Sequence, residues 1–198
     1  MQRIDGKLFH PSDGFERQAF EERMSKYGFK NITRLELFLW DLEIFQQIQN
    51  ILKDRVVLKG GAAVQFYLPI EAQRTSVDID MIYNGTKDEI EQVLTAITDK
   101  LGGEDNLFLF KPHKPEKPKT QLPLYTYFVK VPSVLTEKEL QKESNIQEIK
   151  VEFFTETNDI EISKMCGKDL FAISSELEYN VLPLDNLFAD KLYHWCSR

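Results

Sequence analysis

Cysteine is scarce: Cys166 and Cys196 are the only two in 198 residues. Neither has metal-ligand spacing or a disulfide framework around it, which argues against a thiolate zinc centre and against a disulfide-stapled fold, leaving ordinary reduced thiols. Long apolar runs are missing as well. None approaches the roughly 18 residues that cross a bilayer, and Met1 to His10 lacks the basic-then-apolar pattern of a secretory leader. The expectation is a cytoplasmic chain with no membrane association. Positive charge is in deficit, 25 Lys and Arg against 32 Asp and Glu, for a net charge of -7. That argues against coating nucleic acid by bulk electrostatics, which depends on cations replacing condensed counterions. Any nucleic-acid contact has to be local.

What remains is a globular composition, 42% hydrophobic and 29% charged, long enough for one substantial core. There is no internal repeat and no low-complexity tail. Phe15 to Tyr27 and Thr33 to Leu52 carry apolar residues at helical spacing, with Asn31 and Thr33 as cap candidates. Arg55 to Leu58 reads as a short strand that ends at Gly60 and Gly61, followed by a helical stretch from Ala62 to Tyr67 that Pro69 closes. Ser76 to Tyr83 alternates like a strand. Thr86 to Leu101 is an amphipathic helix with Thr86 as cap and acidic residues in its first turn.

Leu107 to Phe110 and Leu124 to Val131 read as paired strands flanking a proline- and lysine-rich loop, Gln147 to Phe154 as another strand, and Phe171 to Ser174 as a short further one. Leu184 to Trp195 returns to helical periodicity with Asp185 as its cap. The order of elements predicts an α+β fold, a mixed sheet flanked by helices. Its parts are an N-terminal helical part over 1–54, a core over 55–183 and the start of a C-terminal helical region over 184–198. The last helix reaches Arg198 with no glycine or proline stop, which reads as a chain shortened from a longer one.

Two features carry chemistry. Asp78 and Asp80 lie two apart on a predicted strand, so both carboxylates project from one face. Their repulsion calls for a cation, and an all-oxygen ligand set suits magnesium or manganese. A bare D-x-D is more often a solvated strand end than a site. Gly60 and Gly61, however, sit at a strand-to-helix junction, where missing side chains and unpaired backbone N–H groups can cradle a phosphate. Cradle and paired aspartates on strands of one sheet would bring a triphosphate and its metal ions together.

The stretch from Leu58 to Met81, LKGGAAVQFYLPIEAQRTSVDIDM, resembles the AbiEii/AbiGii toxin-like nucleotidyltransferases, whose pattern is a hydrophobic strand, K-G-G-[TS]-A, then R-x-S-x-D-x-D. The matching positions are Lys59, Gly60, Gly61, Ala62, Ala63, Arg74, Ser76, Asp78 and Asp80, with Ala62 in place of the usual hydroxyl residue. The resemblance implies the DNA-polymerase-β-like nucleotidyltransferase fold and metal-dependent transfer of a nucleotide from a nucleoside triphosphate to an acceptor, which in such toxin families is tRNA where it is known. It further implies a cognate antitoxin, and Mg2+ or Mn2+ held by Asp78 and Asp80. A third carboxylate is needed on a neighbouring strand. Glu152 is the candidate, with Lys150 two residues earlier on the same face and Glu148 as fallback.

Lys59, Gly60, Gly61, Arg74 and Ser76 would bind the nucleotide, although Arg74 could equally brace the aspartate strand. Lys191 lies on the apolar stripe formed with Leu187, Phe188 and Trp195, and the helix DNLFADKLYHW resembles the family's later motif, in which a lysine faces the active site. In the loop, Lys111, Lys114 and Lys117 recur every third residue between Pro112, Pro115 and Pro118, a spacing that would align the lysines along a polyproline II edge where RNA phosphates could bind. Two alternatives stay open: a catalytically inert nucleotide-binding or interaction module on the same scaffold, and a phosphotransferase.

Overall fold

The computed structural model describes residues 6–102, 106–113, 123–142, 148–155 and 159–189. The chain opens with helices α1 (Arg17–Tyr27) and α2 (Ile32–Leu52) and continues through β1 (Val56–Lys59), α3 (Gly60–Val64), β2 (Asp78–Tyr83) and α4 (Lys87–Leu101). There follow β3 (Lys111–Pro112), β4 (Leu124–Lys130), α5 (Glu137–Lys142), β5 (Glu148–Thr155), β6 (Ser163–Cys166) and β7 (Glu178–Val181). The strands form one mixed sheet in the order β3-β4-β5-β2-β1-β7-β6. Pairing is parallel between β2 and β5 and between β1 and β7, and antiparallel elsewhere. This is the expected α+β architecture. No helix among the described residues is long and apolar enough to cross a membrane.

Alternation separates the two faces of the sheet. In β2, Ile79, Met81 and Tyr83 are buried, as are Ile149, Val151 and Phe153 in β5, so the intervening Asp78, Asp80, Lys150 and Glu152 occupy the opposite face. On α4 the buried residues Ile90, Val93, Leu94, Ile97 and Leu101 form one stripe. Thr86 and Glu89 close a capping box at its N-terminus. The side chain of Asn31 accepts a hydrogen bond from the Arg34 N–H at 3.0 Å, which caps α2 and leaves Thr33 inside the helix.

α2 is buried on nearly every side, between β1, β2 and β7 and the helices α1 and α4. Such a position favours hydrogen-bond partners for buried polar side chains, which Glu36, Glu43 and Gln46 find. Glu36 accepts from Ser133 Oγ and Val134 N, both at 2.6 Å. Gln46 donates to the carbonyl of Glu178 at 2.9 Å. Glu43 anchors the N-terminal segment, accepting from Phe9 N, His10 N and Gln47 Nε2 and lying 2.6 Å from His10 Nδ1, whose other ring nitrogen is 2.6 Å from the Tyr179 hydroxyl.

Three expectations are corrected, and one helix is added. Leu107 to Phe110 is not a strand: Asn106 and Phe108 have φ of 62° and 58°, and only Leu107 bridges, to Lys130. The partner of β4 is instead the two-residue β3. Phe171 to Ser174 is irregular chain, buried over its first three residues, while β6 and β7 on either side of it supply the sheet edge. The short helix α5 was not anticipated, although Thr136 and Glu139 make the reciprocal cap that the sequence T-E-K-E signals. Asp185 does not cap the last described helix, over 184–189, because Leu187 N already bonds to Pro183 O at 3.0 Å. The rest of that helix prediction, and most of the lysine-rich loop, lies outside the described residues.

Removing the Glu43 carboxylate leaves several buried donors without an acceptor. Glu43→Ala is expected to cost about 3–5 kcal/mol and to expose the segment before α1 to protease. Urea unfolding and limited proteolysis measure both effects.

Candidate active site

Strand β1 delivers Lys59 to the start of α3, and the chain turns there through Gly60 at φ +69°. A Cβ at Gly60 would overlap the Asp80 carboxylate, and one at Gly61 would stand 3.0 Å from Ser76 Oγ. Close approach to Asp80, and not turn geometry alone, therefore requires Gly60, while at Gly61 the Ser76 hydroxyl would only have to give way slightly. This packing places the backbone of both glycines against the aspartate strand. The first N–H groups of a helix lack intrahelical partners, so the turn presents donors beside carboxylates.

Ala62, where a hydroxyl was expected, is buried at 1% exposure, so a side chain at this position meets protein atoms. Two glutamines hold the loop that returns to β2. Gln65, fully buried, donates to Gly61 O at 2.8 Å and accepts from Arg74 N at 2.7 Å. Gln73 donates to Leu68 O and Asp169 O and accepts from Phe171 N. Ser76 and Arg74 are thereby brought to Gly61, with Arg74 Nη2 3.9 Å from where its Cβ would be. Sequence reading missed both glutamines, because nothing local distinguishes a loop glutamine that staples from one that is solvated.

Register then aligns the charged side chains. Lys59, Asp80, Glu152 and Thr126 stand opposite one another across β1, β2, β5 and β4, and Asp78 stands opposite Lys150. Lys150 Nζ lies 3.0 Å from Glu152 Oε2 and 3.4 Å from Asp78 Oδ2, and Thr126 Oγ1 donates to Glu152 Oε1 at 2.9 Å. The Lys59 ammonium lies 5.5 Å from the centroid of the Phe154 ring. Glu148, the fallback carboxylate, is exposed opposite Lys130 at the far end of β5 and takes no part. Lys191 lies outside the described residues.

The electrostatics follow from this crowding. Burial, then the neighbouring charge of Glu152, raises Asp80 from the usual aspartate range to about 6. Burial also works to raise Glu152, but hydrogen bonds from Lys150, Thr126 and Asp80 outweigh it and hold Glu152 below its ordinary value. Below about pH 6, Asp80 is therefore the member of the pair that carries a proton. Beneath them, Asp41 of α2 is buried at 1% exposure with no hydrogen-bond partner on either oxygen. Burial, reinforced by Asp78 and Asp80, pushes its carboxyl well above the usual range. Asp41 is a second omission of the sequence reading, since an acid inside an apolar helix declares itself only once its surroundings are known.

Among the described residues, no group of three or more His, Cys, Asp or Glu side chains is arranged so that it could hold a metal ion as it stands. Asp78, Asp80 and Glu152 nevertheless supply the kind of oxygen donors that a hard divalent cation takes. All three lie on one face of the sheet, and the Lys150 ammonium bridges Asp78 and Glu152.

A family model described as the nucleotidyl transferase AbiEii toxin of a type IV toxin–antitoxin system matches residues 44–198. Among solved structures, JHP933 from Helicobacter pylori is 19% identical at a TM-score of 0.44, over 79% of this chain and 56% of that one. A second solved structure from H. pylori, whose description names a nucleotidyltransferase, is 17% identical at 0.42, over 79% and 58%. The chain therefore spans a little over half the length of these two structures. No curated protein matches it.

Because Asp80 is raised when folded, the native state holds a proton that the unfolded chain has released between its ordinary value of 3.8 and about 6. Stability from this group is full below that window and is lost as pH rises through it. Asp80→Asn is accordingly expected to melt a few degrees above the parent protein at about pH 7.5 and level with it at about pH 4. Calorimetric melts across pH check this.

Proposed function

The chain belongs to the AbiEii nucleotidyl transferase toxin family, and on that footing we propose that it transfers a nucleotide from a nucleoside triphosphate to an RNA acceptor in a divalent-metal-dependent reaction. The observation that carries the reading is the packing of the Gly60–Gly61 turn against Asp80, beside Glu152 on the neighbouring strand. Phosphate-binding backbone and metal-binding carboxylates then share one small volume.

In this reading Asp78, Asp80 and Glu152 hold Mg2+ or Mn2+, whose chemistry would be to neutralise the triphosphate and activate the attacking hydroxyl. Gly60 and Gly61 offer backbone N–H donors to phosphate oxygens, which only side-chain-free residues allow at this distance from Asp80. Ser76 and Arg74, brought beside Gly61 by Gln65, add a hydroxyl and a cation to the same wall. Lys59, at the end of β1, supplies a further positive charge, and Lys191 is assigned the same task by family resemblance alone. The acceptor oxygen attacks the α-phosphorus as the bond to the β-phosphate oxygen breaks, and pyrophosphate leaves. Fixed orientation of both reactants is the protein's main contribution.

The acceptor is proposed to be tRNA, approached along the β3 edge where Lys111 and His113 are exposed. A cognate antitoxin is proposed as the regulatory partner, since the family is one of toxin–antitoxin systems.

Incubation with α-labelled nucleoside triphosphates, Mg2+ and total RNA is expected to label a discrete RNA band, and Asp80→Ala to remove that label while remaining folded by circular dichroism. Transfer of the γ-label instead would mean phosphotransfer. Absence of labelling with every nucleotide, together with undiminished nucleotide binding, would mean an inert binding scaffold.

A further inference from the structure

One charged group on the carboxylate face has no task in the proposed reaction. Lys150 stands opposite Asp78 and two residues before Glu152, and its ammonium contacts a carboxylate oxygen of each. It therefore bridges the two strands. A divalent ion held by Asp78 and Glu152 would need the same oxygens, and the two cations repel each other strongly at such separation. Lysine suits temporary occupancy: it is a point charge on a flexible stem, whereas arginine would lock a carboxylate in a two-pronged grip. The side chain is 32% exposed, so its ammonium has a path to solvent.

We propose that Lys150 is an exchangeable internal counter-ion. It holds β2 and β5 together at their charged face in the metal-free protein, and it withdraws when a divalent ion loads. The inference rests on reading the carboxylates as a metal site. Two consequences follow. Metal alone binds weakly, because it has to displace a cation already in place. Bound nucleotide strengthens metal binding, because its phosphates offer the displaced ammonium a new partner.

Titration of the full chain with Mn2+, followed by the electron paramagnetic resonance of the free ion, tests this without any activity assay. Lys150→Gln removes the competitor and is expected to bind Mn2+ at least about tenfold more tightly than the parent protein in the absence of nucleotide. Its metal-free melting temperature is expected to fall and to recover when Mn2+ is added. Lys150→Arg keeps the charge and is expected to bind Mn2+ no more tightly than the parent, and Asp78→Asn to bind poorly in either background. Should Lys150→Gln fail to fold, Lys150→Met serves in its place. Equal or weaker binding by the neutral variant overturns the exchange while leaving the metal site standing. Lack of Mn2+ binding by any of the proteins, with nucleotide present or absent, overturns the metal site and the exchange together.

Discussion

Carboxylates crowded on one face of two neighbouring strands repel one another, and the organisation of this protein turns on that repulsion. Asp78, Asp80 and Glu152 are brought together by the parallel pairing of β2 with β5, which hydrophobic burial of Ile79, Met81, Val151 and Phe153 on the opposite face enforces. The sheet cannot bury one face without assembling the other. Lys150 and Thr126 relieve part of the strain, and uptake of a proton by Asp80 below about pH 6 relieves more. A fold that tolerates such a face is less stable than an apolar version would be.

The surrounding structure keeps that face fixed. α2, buried along most of its length, gives β1 and β2 a firm support, and its polar residues Glu36, Glu43 and Gln46 bind distant chain segments onto it. Asp41 stands apart as the acid of this helix with neither oxygen bonded, lying where the field of Asp78 and Asp80 reaches it. On the other side of β1, Gln65 and Gln73 fasten the loop that carries Arg74 and Ser76. Preorganisation of this kind limits the reorganisation that a triphosphate would otherwise demand.

Several of these features were legible in the chain alone because their cause is local. A strand ending in paired glycines, alternation from Ser76 to Tyr83 and the cap at Thr86 all depend on neighbours within a few residues. Leu107 to Phe110 misled because its apolar character matches a strand, while Asn106 and Phe108 adopt left-handed backbone and Phe108 is held by hydrogen bonds to Lys130 and Thr98. β6 and β7 escaped notice because four-residue strands at a sheet edge carry too little alternation to stand out. Phe171, Ala172 and Ile173 are as apolar as a strand, yet the core encloses them as irregular chain.

The amino-acid sequence by itself determined the α+β class, the two opening helices and the location of the candidate site between Leu58 and Met81. Each follows from periodicity or from residue types at short spacing. Only the tertiary structure decided that Glu152 and not Glu148 stands beside Asp80, that Lys150 bridges the carboxylates, and that Gly60 has to lack a side chain because Asp80 fills the space. Register between strands distant in the chain sets those relations, and register is a property of the packed sheet.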